Sequence, residues 1–397
     1  MKKVVVDEKK IDEVLSRSVE EIIIKEDLKK ELLSGRRLRI KLGIDPTSPN
    51  IHIGRAIVLW KLRAFQDLGH KAVFIVGDFT GIIGDTSDKD AERPMLTEKE
   101  IKSNLKTYFN QAFKILDKKN TEAHFNSKWL KKLGLNEIGR MTDLFGLHEF
   151  EARENIAKRM SAGKRVSMRE LLYPLMQGYD SVAIKADVEL GGTDQKFNLL
   201  AGRDIQKLYG QRSQNILMMG LLEGLDGRKM SSSWGNTINI ADEPNEIFGK
   251  VMSLSDGLLR KYFTCATNLD LERINEFMAL PPRDAKLKLG EVMVGMYHGA
   301  KVGEKAREEF IKVFSEKKNP ENIEVKNIGK ESLSLLDLVF ESGFASSKSE
   351  ARRLIEQGAV KINGEKKIDP NSQISLKEEA LLQVGPKRFL SIKKIRD

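Results

Sequence analysis

Leu38, Ile40, Leu42 and Ile44 alternate with Arg39, Lys41 and Gly43, the period of two that a half-buried strand imposes. A polar turn follows, Asp45-Pro46-Thr47-Ser48-Pro49-Asn50, in which two prolines forbid regular pairing. Beyond His52-Ile53-Gly54-Arg55, the residues Ile57, Val58, Leu62, Phe65 and Leu68 recur at helical spacing until Gly69 closes the helix. Ala72-Val73-Phe74-Ile75-Val76 then reads as a second strand. The unit puts a threonine, a histidine and glycines where the first strand feeds the helix. Open parallel sheets bind nucleotides at that edge.

The alternation continues down the chain. Strands are expected at 38–44, 72–76, 182–186 and 216–222, and helices at 54–68, 98–117, 168–179 and 195–208. Ser167-Met168-Arg169-Glu170 is a capping box that opens the third helix. Such a pattern predicts the α/β class, with a parallel sheet covered on both faces. Residues 8–34 read as an amphipathic helix ending near Gly35 and packed on the outside of the sheet domain. Residues 120–166 interrupt the pattern with short helical text and no clear strand, an insertion and a candidate subunit contact. From Asp242 the text is all-helical, and residues 331–397 form a small module in which Gly358–Gly364 runs from a strand into an Asn-Gly turn. The expected division is 1–35, an N-terminal helical segment; 36–235, the sheet domain; 236–320, a helical domain; and 331–397.

A length of 397 residues fits two or three domains. Lys and Arg number 68 against 58 acidic residues, which is either a solubilising surface or a nucleic-acid footprint, and only a local patch decides between them. From Phe344 to the end there are 12 Lys and Arg against 7 Asp and Glu, so the terminal module is locally basic. Cys265 is the single cysteine, which excludes a disulfide framework and fits a reducing compartment. The first residues lack the apolar core of a signal peptide, and no apolar run approaches the roughly 18 residues of a membrane span. A cytoplasmic protein without membrane contact is expected.

His52–Arg55 alone is weak evidence, since a histidine and a glycine at a helix start are commonly structural. A second stretch, Asp226-Gly227-Arg228-Lys229-Met230-Ser231-Ser232-Ser233, follows the last strand of the sheet. It is a small-residue loop rich in N–H and hydroxyl donors and carries a lysine, which suits a polyphosphate as well as it suits a plain linker. Tyr173, Gln177 and Asp180 fall at i, i+4 and i+7, on one helix face, and Leu172, Leu175 and Met176 around them imply burial.

In this order the two motifs resemble the signatures of class I aminoacyl-tRNA synthetases. Tyr173–Asp180, Glu189-Leu190-Gly191-Gly192-Thr193-Asp194-Gln195 and Gly81-Ile82-Ile83-Gly84-Asp85-Thr86-Ser87 are similar to the amino-acid-reading segments of bacterial tyrosyl-tRNA synthetases. Residues 331–397 resemble the S-four-like RNA-binding fold. The resemblance covers nearly the whole chain and implies a Rossmann-like catalytic domain, a helical anticodon-side domain and a homodimer. It implies ATP and L-tyrosine as substrates, magnesium carried by ATP, no protein-held metal, and a tRNA for tyrosine as partner.

It also implies roles. Tyr173, Gln177 and Asp85 would hold the substrate ammonium, and Asp180 would accept the phenol proton. Gln195 would lie near the reacting carboxylate. Gly43, Asp45, Gly54, Gly191, Gly192 and Asp194 would line the nucleotide, Asp194 at the ribose. Thr47 and His52 would donate to the γ-phosphate, Lys229 would supply a mobile cation beside Met230, Ser231, Ser232 and Ser233, and Lys89 and Arg93 would close over pyrophosphate. Lys348, Arg352, Arg353 and Lys361 would meet RNA phosphates; a solvated charged helix is the plainer alternative. Three positions depart from the pattern. A tyrosine partner of the phenol is replaced by Lys41, so the phenol meets Lys41 or nothing there. The second histidine is Arg55, which either contacts ATP or faces solvent, and the second loop lysine is Ser232. The rival implications are a tryptophanyl-tRNA synthetase, a small-molecule nucleotidyltransferase, and a synthetase-derived RNA-binding protein without catalysis.

Overall fold

A computed structural model describes residues 3–87, 94–315, 323, 325–328, 332–376, 379–385 and 388–394. The chain divides into two compact units, Met1–Glu304 and Lys305–Asp397.

The first unit begins with α1 (Glu8–Ser16), β1 (Val19–Ile23) and α2 (Lys25–Leu33). The single amphipathic helix expected over 8–34 is therefore two short helices around a strand. Ser18 and Ile24 flank that strand at positive φ and break the helical run on both sides. Lys61 ties α1 down: its buried ammonium donates to Val14 O and Arg17 O, each at 2.6 Å, at the end of that helix.

Next come β2 (Arg39–Ile44), α3 (Ile53–Asp67), β3 (Lys71–Val76), α4 (Thr80–Ile83), α5 (Glu98–Ala112) and β4 (Thr121–Phe125). β4 lies inside the stretch expected to lack a strand. It is a half-exposed edge strand, so Glu122 and His124 dilute the apolar signal that a buried strand would show. Four short helices follow: α6 (Ser127–Leu130), α7 (Leu135–Thr142), α8 (Leu147–Glu151) and α9 (Glu154–Ser161). α10 (Met168–Ile184) starts at the Ser167 capping box and runs on through residues expected as a strand. Lys185, left-handed at φ 50°, ends it. The strand itself is β5 (Val188–Gly192), and α11 (Lys196–Leu208) and β6 (Asn215–Met219) complete the sheet.

The strand order is β1-β6-β5-β2-β3-β4. β2 to β6 are mutually parallel, and β1 alone is antiparallel, against β6. The expected parallel sheet is therefore present as five strands, and β1 adds an antiparallel edge to it. β3 and β6 are buried along almost their whole length, which requires cover on both faces. The chain leaves β2 toward β3 and returns on the other side at β5. That reversal is a topological switch point, and it opens a crevice at the carboxyl ends of β2 and β5. α12 (Pro244–Met252), α13 (Leu259–Ala266), α14 (Leu271–Met278), α15 (Pro282–His298) and α16 (Ala300–Ser315) follow as the all-helical text predicted, with α13 packed on α3.

In the second unit β7 (Val325–Ile328), β8 (Ser332–Ser334), α17 (Leu335–Glu341), α18 (Lys348–Glu356), β9 (Val360–Ile362), β10 (Glu365–Lys367), β11 (Gln373–Ser375), β12 (Ala380–Val384) and β13 (Arg388–Lys394) surround a core of Leu335, Leu338, Ile355, Val360, Leu382 and Ile392. Asn363 and Gly364, both at positive φ, make the two-residue hairpin that joins β9 to β10.

Candidate active site

A cavity of about 500 Å³ opens at the switch point. Gly43, Asp45, Thr47, His52, Gly54, Arg55, Asp85, Tyr173, Gln177, Asp180, Gly191, Gly192, Asp194, Gln195 and Lys229 to Ser233 all line it. Lys41 does not, and Lys89 and Arg93 lie outside the described residues.

One end of the cavity is a buried polar chain. Asp180, 4% exposed, accepts from Trp129 Nε1 at 2.6 Å on one oxygen and from Asn126 Nδ2 at 3.2 Å on the other. Asn126 also donates to Thr80 Oγ1 at 2.9 Å, and Thr80 donates to Asp45 Oδ1 at 2.7 Å. The other Asp45 oxygen receives the Tyr173 hydroxyl at 2.8 Å. Burial pushes Asp180 up to about 7, against the opposing pull of Lys41, Trp129 and Asn126. The Tyr173 phenol is raised well above its ordinary value by burial and by Asp45 and Asp85, so it stays a donor. Gly77 lets this chain close: a Cβ there would lie 2.0 Å from Asp45 Oδ1. Asp85 accepts from Ser87 Oγ at 2.5 Å and from Gln195 Nε2 at 2.6 Å. Thr80, Asn126, Trp129 and Gly77 were not singled out from sequence. Asn126 follows the end of β4 directly, so recognising that strand would have placed it at the carboxyl edge with the other site residues.

At the other end, His52 is the N-cap of α3, and its Nδ1 accepts the Arg55 backbone N–H at 3.3 Å. A neutral imidazole accepting at Nδ1 carries its proton on Nε2, where it is a donor. Arg55 neither points to solvent nor stands alone: it donates to Thr47 Oγ1 and to the hydroxyl of buried Tyr108, each at 2.9 Å. The 226–233 loop rests on this helix start. Gly54 N–H meets Met230 Sδ at 3.4 Å, Ser48 and Ser232 hydroxyls are 3.3 Å apart, and Lys229 Nζ is 2.8 Å from Asp194 Oδ2. Ser232, where the resemblance expects a second lysine, contributes a neutral contact between the two signature loops.

Lys41 is not among the side chains that line the cavity. It is fully buried, and its ammonium lies 2.8 Å from Glu189 Oε1. Lys41 and Glu189 are register neighbours on β2 and β5, so the carboxylate lies directly beside the ammonium. Among the described residues, no three histidine, cysteine or acidic side chains are grouped to hold a metal ion. In the second unit, Arg352, Arg353 and Lys361 are exposed, and Lys348 is paired with Asp337 at 2.7 Å.

A model of class I tRNA synthetases (W and Y) matches residues 33–315, and an S4 domain model matches 334–379. The tyrosine–tRNA ligase of Dehalococcoides mccartyi (strain CBDB1) is 44% identical over 390 residues, covering 96% of this chain and 98% of that protein. The chain belongs to the tyrosine–tRNA ligase family. Other ligases of the family stand equally near: that of Moorella thermoacetica is 46% identical, covering 95% of this chain and 94% of its own length, and that of Thermotoga maritima is 45% identical, with 96% of each covered. Solved structures share the fold. A C-terminally truncated mitochondrial tyrosyl-tRNA synthetase from Aspergillus nidulans has a TM-score of 0.65 at 19% identity, covering 77% of this chain and 94% of that one. The Archaeoglobus fulgidus tyrosyl-tRNA synthetase complexed with L-tyrosine has a TM-score of 0.60 at 21% identity, covering 76% and 100%.

Proposed function

We propose that the chain activates L-tyrosine with ATP and transfers it to the terminal ribose of a tRNA. The observation that carries this reading is one cavity with a buried carboxylate, Asp180, at one end and a polyphosphate-suited helix start and lysine loop at the other. The tyrosine phenol donates to Asp180, while Tyr173, Gln177 and Asp85 surround the ammonium. A tyrosine carboxylate oxygen attacks the ATP α-phosphorus in line, the bond to the β-phosphate breaks, and pyrophosphate leaves. A tRNA ribose hydroxyl then attacks the adenylate carbonyl and AMP leaves. No protein nucleophile is needed, so catalysis is positioning plus charge stabilisation. His52 Nε2 and Thr47 donate to the departing phosphates. The Lys229–Asp194 pair exchanges partners when ATP arrives, the cation going to pyrophosphate and the carboxylate to a ribose hydroxyl. Magnesium enters as the counter-ion of ATP.

The remaining parts of the reading concern assembly and place. Leu135 (83% exposed), Leu147 and Met168 (74% exposed) give the 120–166 region and the start of α10 apolar surface that suits a homodimer contact. The helical segment 236–320 serves the anticodon side. Lys348, Arg352, Arg353 and Lys361 hold RNA phosphates. No helix among the described residues is long and apolar enough to cross a membrane, and a cytoplasmic enzyme is the fitting setting. Exchange of pyrophosphate into ATP, run with tyrosine, tryptophan and phenylalanine, tests the function. Exchange with tyrosine alone is expected. Exchange with tryptophan in its place, or none at all, would overturn the reading.

A further inference from the structure

Under the amino-acid end of the cavity lies an ionic cluster with no part in the chemistry above. The Lys41 ammonium donates to Gln177 O and Ser181 Oγ, each at 2.7 Å, besides its pair with Glu189 at 2.8 Å. Those contacts use all the donors an ammonium has. Glu189 receives Lys41 and the Gln177 side-chain amide (Nε2 at 3.2 Å) on one oxygen, and Ser181 Oγ at 3.0 Å and Gln214 Nε2 on the other. Both charges are out of water, and a desolvated ion pair adds little net stability over an apolar pair of the same size. Its use lies in what it orients.

A carboxylate can only accept hydrogen bonds, so the branch of the Gln177 amide turned to Glu189 must be the NH₂. The amide oxygen is then the branch left for the cavity that Gln177 lines. We propose that Lys41 and Glu189 are positioning residues that hold Gln177 with its amide oxygen toward the α-ammonium of the substrate. The proposal rests on the reading of Gln177 as part of the ammonium site. Turned half a revolution, the amide would face an ammonium donor to donor.

The test compares L-tyrosine with 3-(4-hydroxyphenyl)propanoate, the same molecule without its amino group, by equilibrium binding to the full-length protein. In Glu189→Gln the partner can donate as well as accept, so the amide is no longer forced. Tyrosine affinity is expected to fall ~10-fold or more, the scale of a hydrogen bond to a charged group, while the deaminated analogue and the KM for ATP stay unchanged. The neutral pair Lys41→Met with Glu189→Gln is measured alongside, because the single change leaves a buried charge unpaired. Equal losses for both ligands, or no loss for either, would overturn the proposal. Gln177→Ala separates the two levels. If it leaves the preference for tyrosine over the analogue intact, the ammonium reading of Gln177 is wrong. If it abolishes that preference while both Glu189 variants retain it, only the positioning role falls.

Discussion

Asp180 is an acid whose ordinary titration has been moved by burial to about 7, and binding should therefore depend on pH near neutrality. Protonated, it offers the phenol only a neutral carbonyl oxygen in place of a charged acceptor, so tyrosine affinity should fall as pH falls through that value. The dissociation constant at pH 6 is expected to be about tenfold higher than at pH 8, and Asp180→Asn should flatten the profile. Trp129→Phe removes the N–H at 2.6 Å that favours the ionised form, so the midpoint should move upward in the same titration. Linkage sets the sign for stability too. Between about 4 and about 7 the folded protein keeps a proton that the unfolded chain has lost, so this group makes the fold less stable as pH rises through that window. Much of the site could be read from residues. Tyr173, Gln177 and Asp180 share a face because helical spacing requires it, and Asp45, His52 and Lys229 sit where loops leave the sheet. Lys41 could not be placed that way. Which direction its charge takes depends on the residue beside it on β5, and strand register is invisible in a single sequence.

At the scale of elements, α3 and the 226–233 loop act as a pair, since Met230 and Ser232 touch the helix start and the turn before it. Lys229→Ala should slow adenylate formation by ~10²-fold or more while tyrosine binding is little changed, as for a group acting chiefly in the transition state. Single-turnover pyrophosphate release at a near-normal rate would contradict that. The elements that sequence revealed had strong periodicity or caps: α3, the Ser167 start of α10, the five helices after Asp242. Those it misplaced lacked both. β4 is a half-exposed edge, and β1 is short enough to hide inside a helical pattern. The Val182-Ala183-Ile184 run, expected to open a strand over 182–186, is ambiguous because a buried helix end and a buried strand look alike over three residues.

For the whole molecule, the two units should separate by activity. Removing residues 331–397 should spare tyrosyl-adenylate formation and weaken tRNA charging; equal losses would make the terminal module structural. On the proposed homodimer contact, Leu147→Glu together with Met168→Glu should give a monomer in sedimentation velocity where the unaltered protein runs as a dimer; a variant that still dimerises would place the subunit contact elsewhere. β1 carries a different consequence. Val19 pairs with Met219, so the first strand of the sheet to be made has its partner in the last. Until β6 leaves the ribosome, the first strand has nothing to zip onto. Closure of that sheet edge is thus a late, long-range step, and β6 stays an open edge on the nascent chain until it happens.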